Sequence, residues 1–177
     1  MAQYIGIWIG DIEEYVSLMT AVKDAAEAED EEAEDMALEK FNSASFDSFI
    51  DERYENTRFG SQLSTLLHAN RAKLTPDEIG FLKTVCVLWD GGEEIIEVPR
   101  ADADRLMLVH AITPATVSTL SGNYSGIETD ELAGRIHRPS TEFPSSAELS
   151  DYLSQWGKAF AAAADRKAAL ICELSGV

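Results

Sequence analysis

An acidic segment from Asp11 to Glu55 sets the first constraint on how this chain can fold. It holds sixteen Asp and Glu residues against Lys23, Lys40 and Arg53, a local charge of −13 within the formal −18 of the whole chain. Ionised carboxylates are costly to bury without partners, so this segment must lie largely at the surface. The core has to come from the other residues and from the apolar positions inside the segment.

The 177 residues are enough for one domain with a substantial core, because 45% of them are hydrophobic. We predict a single domain over residues 1–177. Aromatic residues are spread along the whole chain, which is not typical of a disordered polypeptide. The first residues lack the basic region of a signal peptide, and no apolar run reaches the roughly 18 residues of a membrane span, so we expect a cytoplasmic protein.

The net charge of −18 also indicates which partners to expect. Phosphate groups are bound through cations, so we expect no direct binding to nucleic acid and none to an anionic membrane. The same negative field attracts basic proteins and speeds their association. Composition therefore favours a basic protein as the partner.

The first third of the chain predicts a strand followed by helices. Residues 4–9 (Tyr-Ile-Gly-Ile-Trp-Ile) are β-branched and aromatic and predict a buried strand. Asp11, with Glu14 three residues later, is typical of a helix N-cap, and apolar residues then recur at helical spacing. Residues 24–35 hold eight acids and no base, so we expect them either to fray into a mobile, unstructured segment or to continue as a solvated surface helix. The spacing of the apolar residues in 46–52 predicts a second short helix.

The middle of the chain is ambiguous between helix and strand. Residues 75–78 (Thr-Pro-Asp-Glu) predict a capped helix start. Residues 84–89 fit both a helix and a buried strand, and we favour a short helix that passes into a hairpin pairing 84–89 with 94–98 around the Asp-Gly-Gly turn. Residues 102–112 then predict a helix with Leu106, Val109 and His110 turned inward.

The last third of the chain predicts loops followed by one long helix. Residues 113–120 predict a short helix and 121–145 a loop-rich stretch. Residues 147–165, capped by a serine, predict the clearest helix in the chain. Residues 168–174 predict either a strand beside the first one or a helical tail. Together the elements indicate a mixed α+β domain in which a small sheet, including the N-terminal strand and a central hairpin, is packed by several helices.

No arrangement of residues in the sequence is specific enough to name a reaction. The three histidines are too far apart for a local metal motif, and both cysteines, Cys86 and Cys172, lie in apolar surroundings that favour small buried side chains. The Gly-Asn-Tyr-Ser-Gly stretch around Ser125 does not have the order of a nucleophile elbow and predicts a turn. We therefore predict no catalytic, cofactor or metal site.

Several features of the N-terminal third together resemble a known family. They are the strand ending Trp8-Ile9-Gly10, the acid that follows, a helix carrying Tyr15, and the segment 46–52 (Phe-Asp-Ser-Phe-Ile-Asp-Glu). About the first 55 residues are similar to small acidic immunity proteins of bacterial polymorphic toxin systems. The resemblance implies a non-enzymatic inhibitor that binds a co-produced toxin, frequently a nuclease, and blocks its active site or substrate groove.

We hypothesise that the contact is made by ordered acids on the two sides of residues 24–35, with an aromatic anchor, because interface hot spots favour aromatic residues surrounded by charges. Tyr15 fits either such an anchor or the core face of the first helix. The 24–35 segment itself would steer the partner rather than dock. The hypothesised contact residues are Glu13, Glu14, Asp47, Asp51, Glu52, Tyr54 and Glu55.

Two other functions remain open at this point. One is an acidic adaptor or nucleic-acid mimic that sequesters a basic nucleic-acid-binding protein, without a toxin. The other is an enzyme with an acidic cleft, which requires a desolvated carboxylate with a raised pKa beside an ionised one.

Overall fold

Helices cover both faces of one antiparallel sheet in the computed structural model, which describes residues 3–44, 46–54, 58–87, 93–100, 105–140 and 143–175. The strands are β1 (Gln3–Gly10), β2 (Asp47–Tyr54), β3 (Glu93–Arg100), β4 (Arg105–Ile112) and β5 (Ala169–Ser175). The helices are α1 (Ile12–Glu27), α2 (Glu31–Asn42), α3 (Arg58–Asn70), α4 (Pro76–Val87), α5 (Pro114–Tyr124), α6 (Thr129–Ile136) and α7 (Ser146–Arg166), with a 3₁₀ turn at Arg71–Lys73. The mixed α+β fold is confirmed.

The sheet has the strand order β2-β1-β5-β4-β3, and every neighbouring pair is antiparallel. The two ends of the chain meet at its centre, where Ile7 of β1 lies opposite Cys172 of β5. The expected pairing of a closing strand with the first strand is confirmed. The Cys172 side chain is buried, as expected, and burial together with the neighbouring Glu173 carboxylate raises the pKa of its thiol well above the ordinary value. Cys86 lies in α4, and its side chain is outside the described residues.

Alternation along the strands divides the core into two layers. One face of the sheet packs against α3 to α7. The largest fully buried side chains of this core layer include Trp156, Phe160 and Phe81, which lie on the helices. The other face packs against α1 and α2. Ile7 and Ile9 face the first layer whereas Trp8 faces the second, which explains why β1 is apolar at successive positions.

The prediction of a strand at 84–89 is wrong for its first four residues. Residues 84–87 continue α4, and 88–92 lie outside the described residues. The capping pattern of residues 75–78 is present, with Thr75 and Glu78 exchanging hydrogen bonds between side chain and backbone. Thr84, β-branched and therefore consistent with a strand, donates its hydroxyl to the Gly80 carbonyl at 3.0 Å, as threonines in helices often do.

The central hairpin exists but joins different segments from those predicted. β3 pairs with β4, so residues 105–112 form a strand, and the prediction of a helix over 102–112 is wrong for these residues. Val109 is buried as expected, and His110 is half-buried. Apolar residues at Leu106, Val109 and Ile112 fit a helical spacing, but β4 is hydrogen-bonded on both sides, to β3 and β5. Of its described side chains, Val109 is buried in one core layer and Ile112 in the other.

Residues 47–52, expected in a short helix, belong to strand β2. β2 satisfies the hydrogen-bonding edge of β1 that β5 leaves open, with Ile50 opposite Ile7 and Ser48 opposite Trp8. Phe49 is therefore the extra residue of a β-bulge, and the bulge disturbs the alternation by which a strand is recognised.

The stretch 121–145, expected to be loop-rich, contains the end of α5 and the whole of α6. Leu132, Ala133 and Ile136 bury one face of α6 in the larger core layer. Ser125 lies in the turn between the two helices, as expected, and its hydroxyl donates to the Gly122 carbonyl. The long C-terminal helix is confirmed as α7, with Ser145 and Glu148 forming a reciprocal capping box. Among the described residues, no helix combines the length and apolarity needed to cross a membrane.

Candidate protein-interaction surface

Residues 11–42 of the acidic segment fold as two successive helices, α1 and α2, joined by a short turn. We call this unit the acidic hairpin. Asp11 caps α1 by accepting the Glu14 amide at 2.9 Å, as predicted, and Asp30 caps α2 by accepting the Ala33 amide at 3.0 Å. Between them Glu29 adopts a left-handed conformation with φ of 55°. The Glu29 amide donates a hydrogen bond to the Ala26 carbonyl, and the Asp30 amide donates one to the Ala25 carbonyl. These two bonds form a Schellman motif, a common ending of a helix.

The expectation that residues 24–35 are unstructured is wrong, because the run is divided between two helices. Glu31, Glu32 and Glu34 lie in the first turn of α2, where the positive end of the helix dipole stabilises carboxylates. Only residues 28–30 form the turn between the helices. The alternative of a solvated surface helix is therefore the correct one.

Aromatic side chains hold the acidic hairpin against the sheet. Phe41 of α2 packs edge-on against Trp8 and Tyr15, at ring-centroid distances of 5.8 Å and 5.4 Å. Phe46, just before β2, stacks on Phe41 at 5.7 Å and contacts Tyr15 edge-on at 5.5 Å. Such pairs each contribute about 0.5–1.5 kcal/mol beyond the burial of their surface. We call these four residues the aromatic cluster.

Gly10 makes the aromatic cluster possible because the Phe46 ring lies directly on its backbone. A Cβ atom at residue 10 would come within 2.2 Å of Phe46 Cδ1, closer than packed atoms allow. Trp8, Gly10, Tyr15 and Phe46, which are separate parts of the resemblance noted above, thus meet at one place. Their shared role in this structure is to attach the hairpin.

Tyr15 is a core residue and not a surface anchor. It is fully buried, and its hydroxyl donates a hydrogen bond to Glu173 on β5. The Glu173 carboxylate is itself buried, with 5% of its surface exposed. This hydrogen bond joins α1 to the central strand of the sheet.

The outer surface of the acidic hairpin is almost uniformly negative. Residues 11–42 contain twelve acids against Lys23 and Lys40, a formal charge of −10. Of the twelve, only Glu34 is half-buried, and the other eleven are exposed. Lys23 lies 3.8 Å from Glu27, an exposed pair that contributes little to stability. Most of these charges therefore project into solvent.

The hypothesised contact residues do not converge on one point. Glu13 and Glu14 are exposed in the first turn of α1. Asp47 lies opposite Ile9, at the same end of the sheet, whereas Tyr54 lies opposite Gln3 at the other end. Tyr54 lies seven residue steps along the strand from Asp47, roughly 23 Å.

The remaining hypothesised contacts lie along β2 or beyond it. Asp51 and Glu52 occupy the middle of β2, opposite Gly6 and Ile5. The side chains of the β2 residues, Tyr54 included, and the whole of Glu55 are outside the described residues. The structure thus places the backbone of Asp51, Glu52 and Tyr54 along an edge strand without describing a contact surface there.

Two apolar residues of α2 were missed by the sequence analysis as surface features. Met36 is 54% exposed and Leu38 is 37% exposed, and no other large hydrophobic side chain among the described residues is comparably exposed. Large apolar side chains of an amphipathic helix usually lie on its buried face. The signal available in the sequence was their position on both sides of Ala37, because three successive residues of a helix cannot all face the core.

An open pocket of about 460 Å³ lies at the N-terminal end of α1. Asp11 and Glu13 stand beside Arg166 and Lys167 in its wall, so the pocket favours neither anions nor cations. The Asp11 carboxylate is already occupied as a helix cap. In the described part of the chain no three His, Cys, Asp or Glu residues are placed to hold a metal ion.

Comparisons of the chain with protein-family models, with curated proteins and with solved structures give no match. The acidic hairpin is consequently characterised by its own chemistry: a helical, strongly anionic surface with two exposed apolar side chains.

Proposed function

We propose that this protein is a non-enzymatic acidic inhibitor that binds a basic protein, in the manner of an immunity protein that neutralises a co-produced bacterial toxin. The observation that supports the proposal best is the acidic hairpin, which carries a formal charge of −10 on an ordered surface. Solubility alone needs dispersed charge, whereas this chain concentrates its acids on two helices that are firmly attached to the sheet.

A cationic groove that holds phosphates is the natural complement of such a surface. An inhibitor that carries clustered carboxylates competes for the same positive potential and associates rapidly. A toxin with nuclease activity has a groove of this kind. We place the interaction in the cytoplasm, where a toxin-producing bacterium needs protection.

The proposal is tested with the protein encoded by the adjacent gene, because the gene of an immunity protein lies next to the gene of its toxin. We expect this chain to form a stable complex with that protein and to restore growth when the two are produced together. Affinity should fall steeply between low and physiological salt, since opposite charges drive association. A neighbour without a basic patch, or a growth defect that this chain does not relieve, would count against the proposal.

The alternative of a nucleic-acid mimic that sequesters a basic protein of the host or of a phage uses the same surface. It differs in genetic context, because no toxin gene would lie beside this one. In that case the complex would form with a nucleic-acid-binding protein encoded elsewhere, and growth rescue would not be observed.

A further inference from the structure

The outer face of α2 carries a row of acids that weakens the helix. Glu31, Asp35 and Glu39 are exposed and follow one another at four-residue spacing, so they lie on one ridge. Like charges at this spacing repel one another and destabilise a helix. A surface helix that only needed solubility would alternate the two signs of charge.

The two exposed apolar side chains lie on either side of this ridge. Ala37 is buried against the sheet, and Met36 and Leu38 are each one residue, or about 100°, away from it around the helix. The face of α2 that points away from the core is therefore an acidic ridge between two apolar shoulders. Exposed apolar residues within a charged surface are typical of interface anchors.

The mean density of negative charge along the axis of α2 is similar to that of one strand of duplex DNA. The N-cap Asp30 and five acids within the helix give six carboxylates over the 12 residues of α2. Those residues span roughly 18 Å, so there is about one negative charge per 3 Å of helix axis. Each strand of duplex DNA carries one phosphate per roughly 3.4 Å of helix axis.

We propose that α2 is the docking element of this protein and occupies a cationic groove that otherwise holds a single nucleic-acid strand. The acids of α2, with the acidic ridge at their centre, take the place of the phosphates, and Met36 takes the place of a base on the aromatic side chains that line such grooves. This inference rests on the proposed function and assigns it to a helix that was expected only to steer the partner.

The test is a competition experiment with the adjacent-gene product, made catalytically inactive, and a fluorescently labelled twelve-nucleotide single-stranded DNA. We expect this chain to displace the DNA. The triple variant Glu31→Gln, Asp35→Asn, Glu39→Gln should need at least about tenfold more protein for the same displacement, with a weaker dependence on salt.

A second triple variant is the matched control. Glu131→Gln, Asp151→Asn and Asp165→Asn change the net charge by the same amount at exposed positions on α6 and α7. We expect these substitutions to shift displacement less than about threefold, because surface charges distant from an interface mainly affect long-range steering. Circular dichroism of both triple variants checks that they fold, and we expect spectra like that of the original chain.

The apolar anchor is tested separately. Met36→Gln keeps the length and charge of the side chain, and we expect it to raise the dissociation rate about tenfold without changing the salt dependence. Met36→Leu should bind like the original chain. Neither change should alter thermal stability, because the side chain is largely exposed.

The possible failures are distinguishable. Equal loss in the two triple variants, or no effect of Met36→Gln, would overturn the role of α2 and leave the proposed function intact. Binding that does not displace the DNA would overturn the nucleic-acid groove. No binding of the original chain to the adjacent-gene product would overturn both the inference and the proposed function.

Discussion

At the scale of single residues, Glu78 joins two helices of the larger core layer. Its carboxylate accepts the Thr75 amide at 2.8 Å and pairs with Arg135 of α6, which also donates to the Lys73 carbonyl at 3.2 Å. Burial by itself raises the pKa of the Glu78 carboxyl, but the Thr75 amide and the Arg135 guanidinium outweigh it and hold the pKa below the ordinary value.

We expect Arg135→Met to lower the free energy of unfolding by about 1–2 kcal/mol, because it leaves a largely buried carboxylate without its cation while the guanidinium itself is half exposed. The exposed Arg138→Met is the matched control and should change stability by less than about 0.5 kcal/mol. Urea unfolding measures both.

The contribution of Glu78 to stability is present above the pKa of an unfolded glutamate and is lost as pH falls through the lower folded pKa. The difference between Arg135→Met and the original chain should therefore shrink on acidification, and a constant difference would contradict this assignment.

Two residues in the left-handed conformation offer a second test at this scale. Glu29 has φ of 55° and Lys167 has φ of 53°, and each follows the last turn of a helix in a Schellman ending. Glycine adopts this conformation without the steric cost of a Cβ atom. We expect Glu29→Gly and Lys167→Gly each to raise the free energy of unfolding by about 0.5–1 kcal/mol, with the larger gain at Glu29, where a carboxylate is also removed from the acidic hairpin. A loss of stability in chemical denaturation at either position would contradict the proposed backbone strain.

At the scale of elements, the attachment of the acidic hairpin depends on the contact between Gly10 and Phe46. Gly10→Ala forces the Phe46 ring away from the position it shares with Tyr15 and Phe41, and we expect a loss of about 1–3 kcal/mol. Phe46→Leu in the same chain should recover part of that loss, since a smaller side chain can move aside. Gly157→Ala is the control: nothing lies within 4 Å of its added Cβ, and a helix-favouring residue should stabilise α7 by up to about 1 kcal/mol. Equal effects of the two alanine substitutions would show that the contact with Phe46 does not matter.

Elements whose signals are local could be predicted from the sequence, and elements specified by distant partners could not. The cap of α1, the start of α4 and the whole of α7 carry their own capping residues and apolar spacing, and all were predicted. β2 and β4 were assigned to helices, because a strand depends on its neighbours and the bulge at Phe49 hides the alternation. For the candidate site, the sequence located the concentration of acids but not their division between two helices. Residues 36–38 cannot all face the core of a helical packing, but which of them is exposed could not be predicted, because it depends on which face of α2 meets the sheet.

At the scale of the whole molecule, concentrated charge opposes folding. The acidic hairpin holds −10 of the −18 formal charges, and mutual repulsion is released when the chain expands. The screening length of the solution falls from about 30 Å at 0.01 M salt to about 10 Å at 0.1 M. Because added salt weakens the repulsion, we expect the free energy of unfolding to rise by about 1 kcal/mol as salt increases over this range. Asp35→Asn with Glu39→Gln should stabilise the chain at low salt and reduce the salt effect, whereas Glu131→Gln with Asp151→Asn should do neither. Equal salt effects in the two variants, measured by urea unfolding, would contradict a local origin of the repulsion.

The division of the core into two layers gives each layer its own indole. Trp8 belongs to the aromatic cluster beneath the acidic hairpin, and Trp156 is buried among the helices on the opposite face of the sheet. The indole nitrogen of Trp8 is buried and has no acceptor among the described residues. Such surroundings shift tryptophan fluorescence towards the blue. With Trp89 and Trp156 replaced by phenylalanine, Trp8 is the only tryptophan left, and its fluorescence reports whether the acidic hairpin remains packed on the sheet while a partner binds.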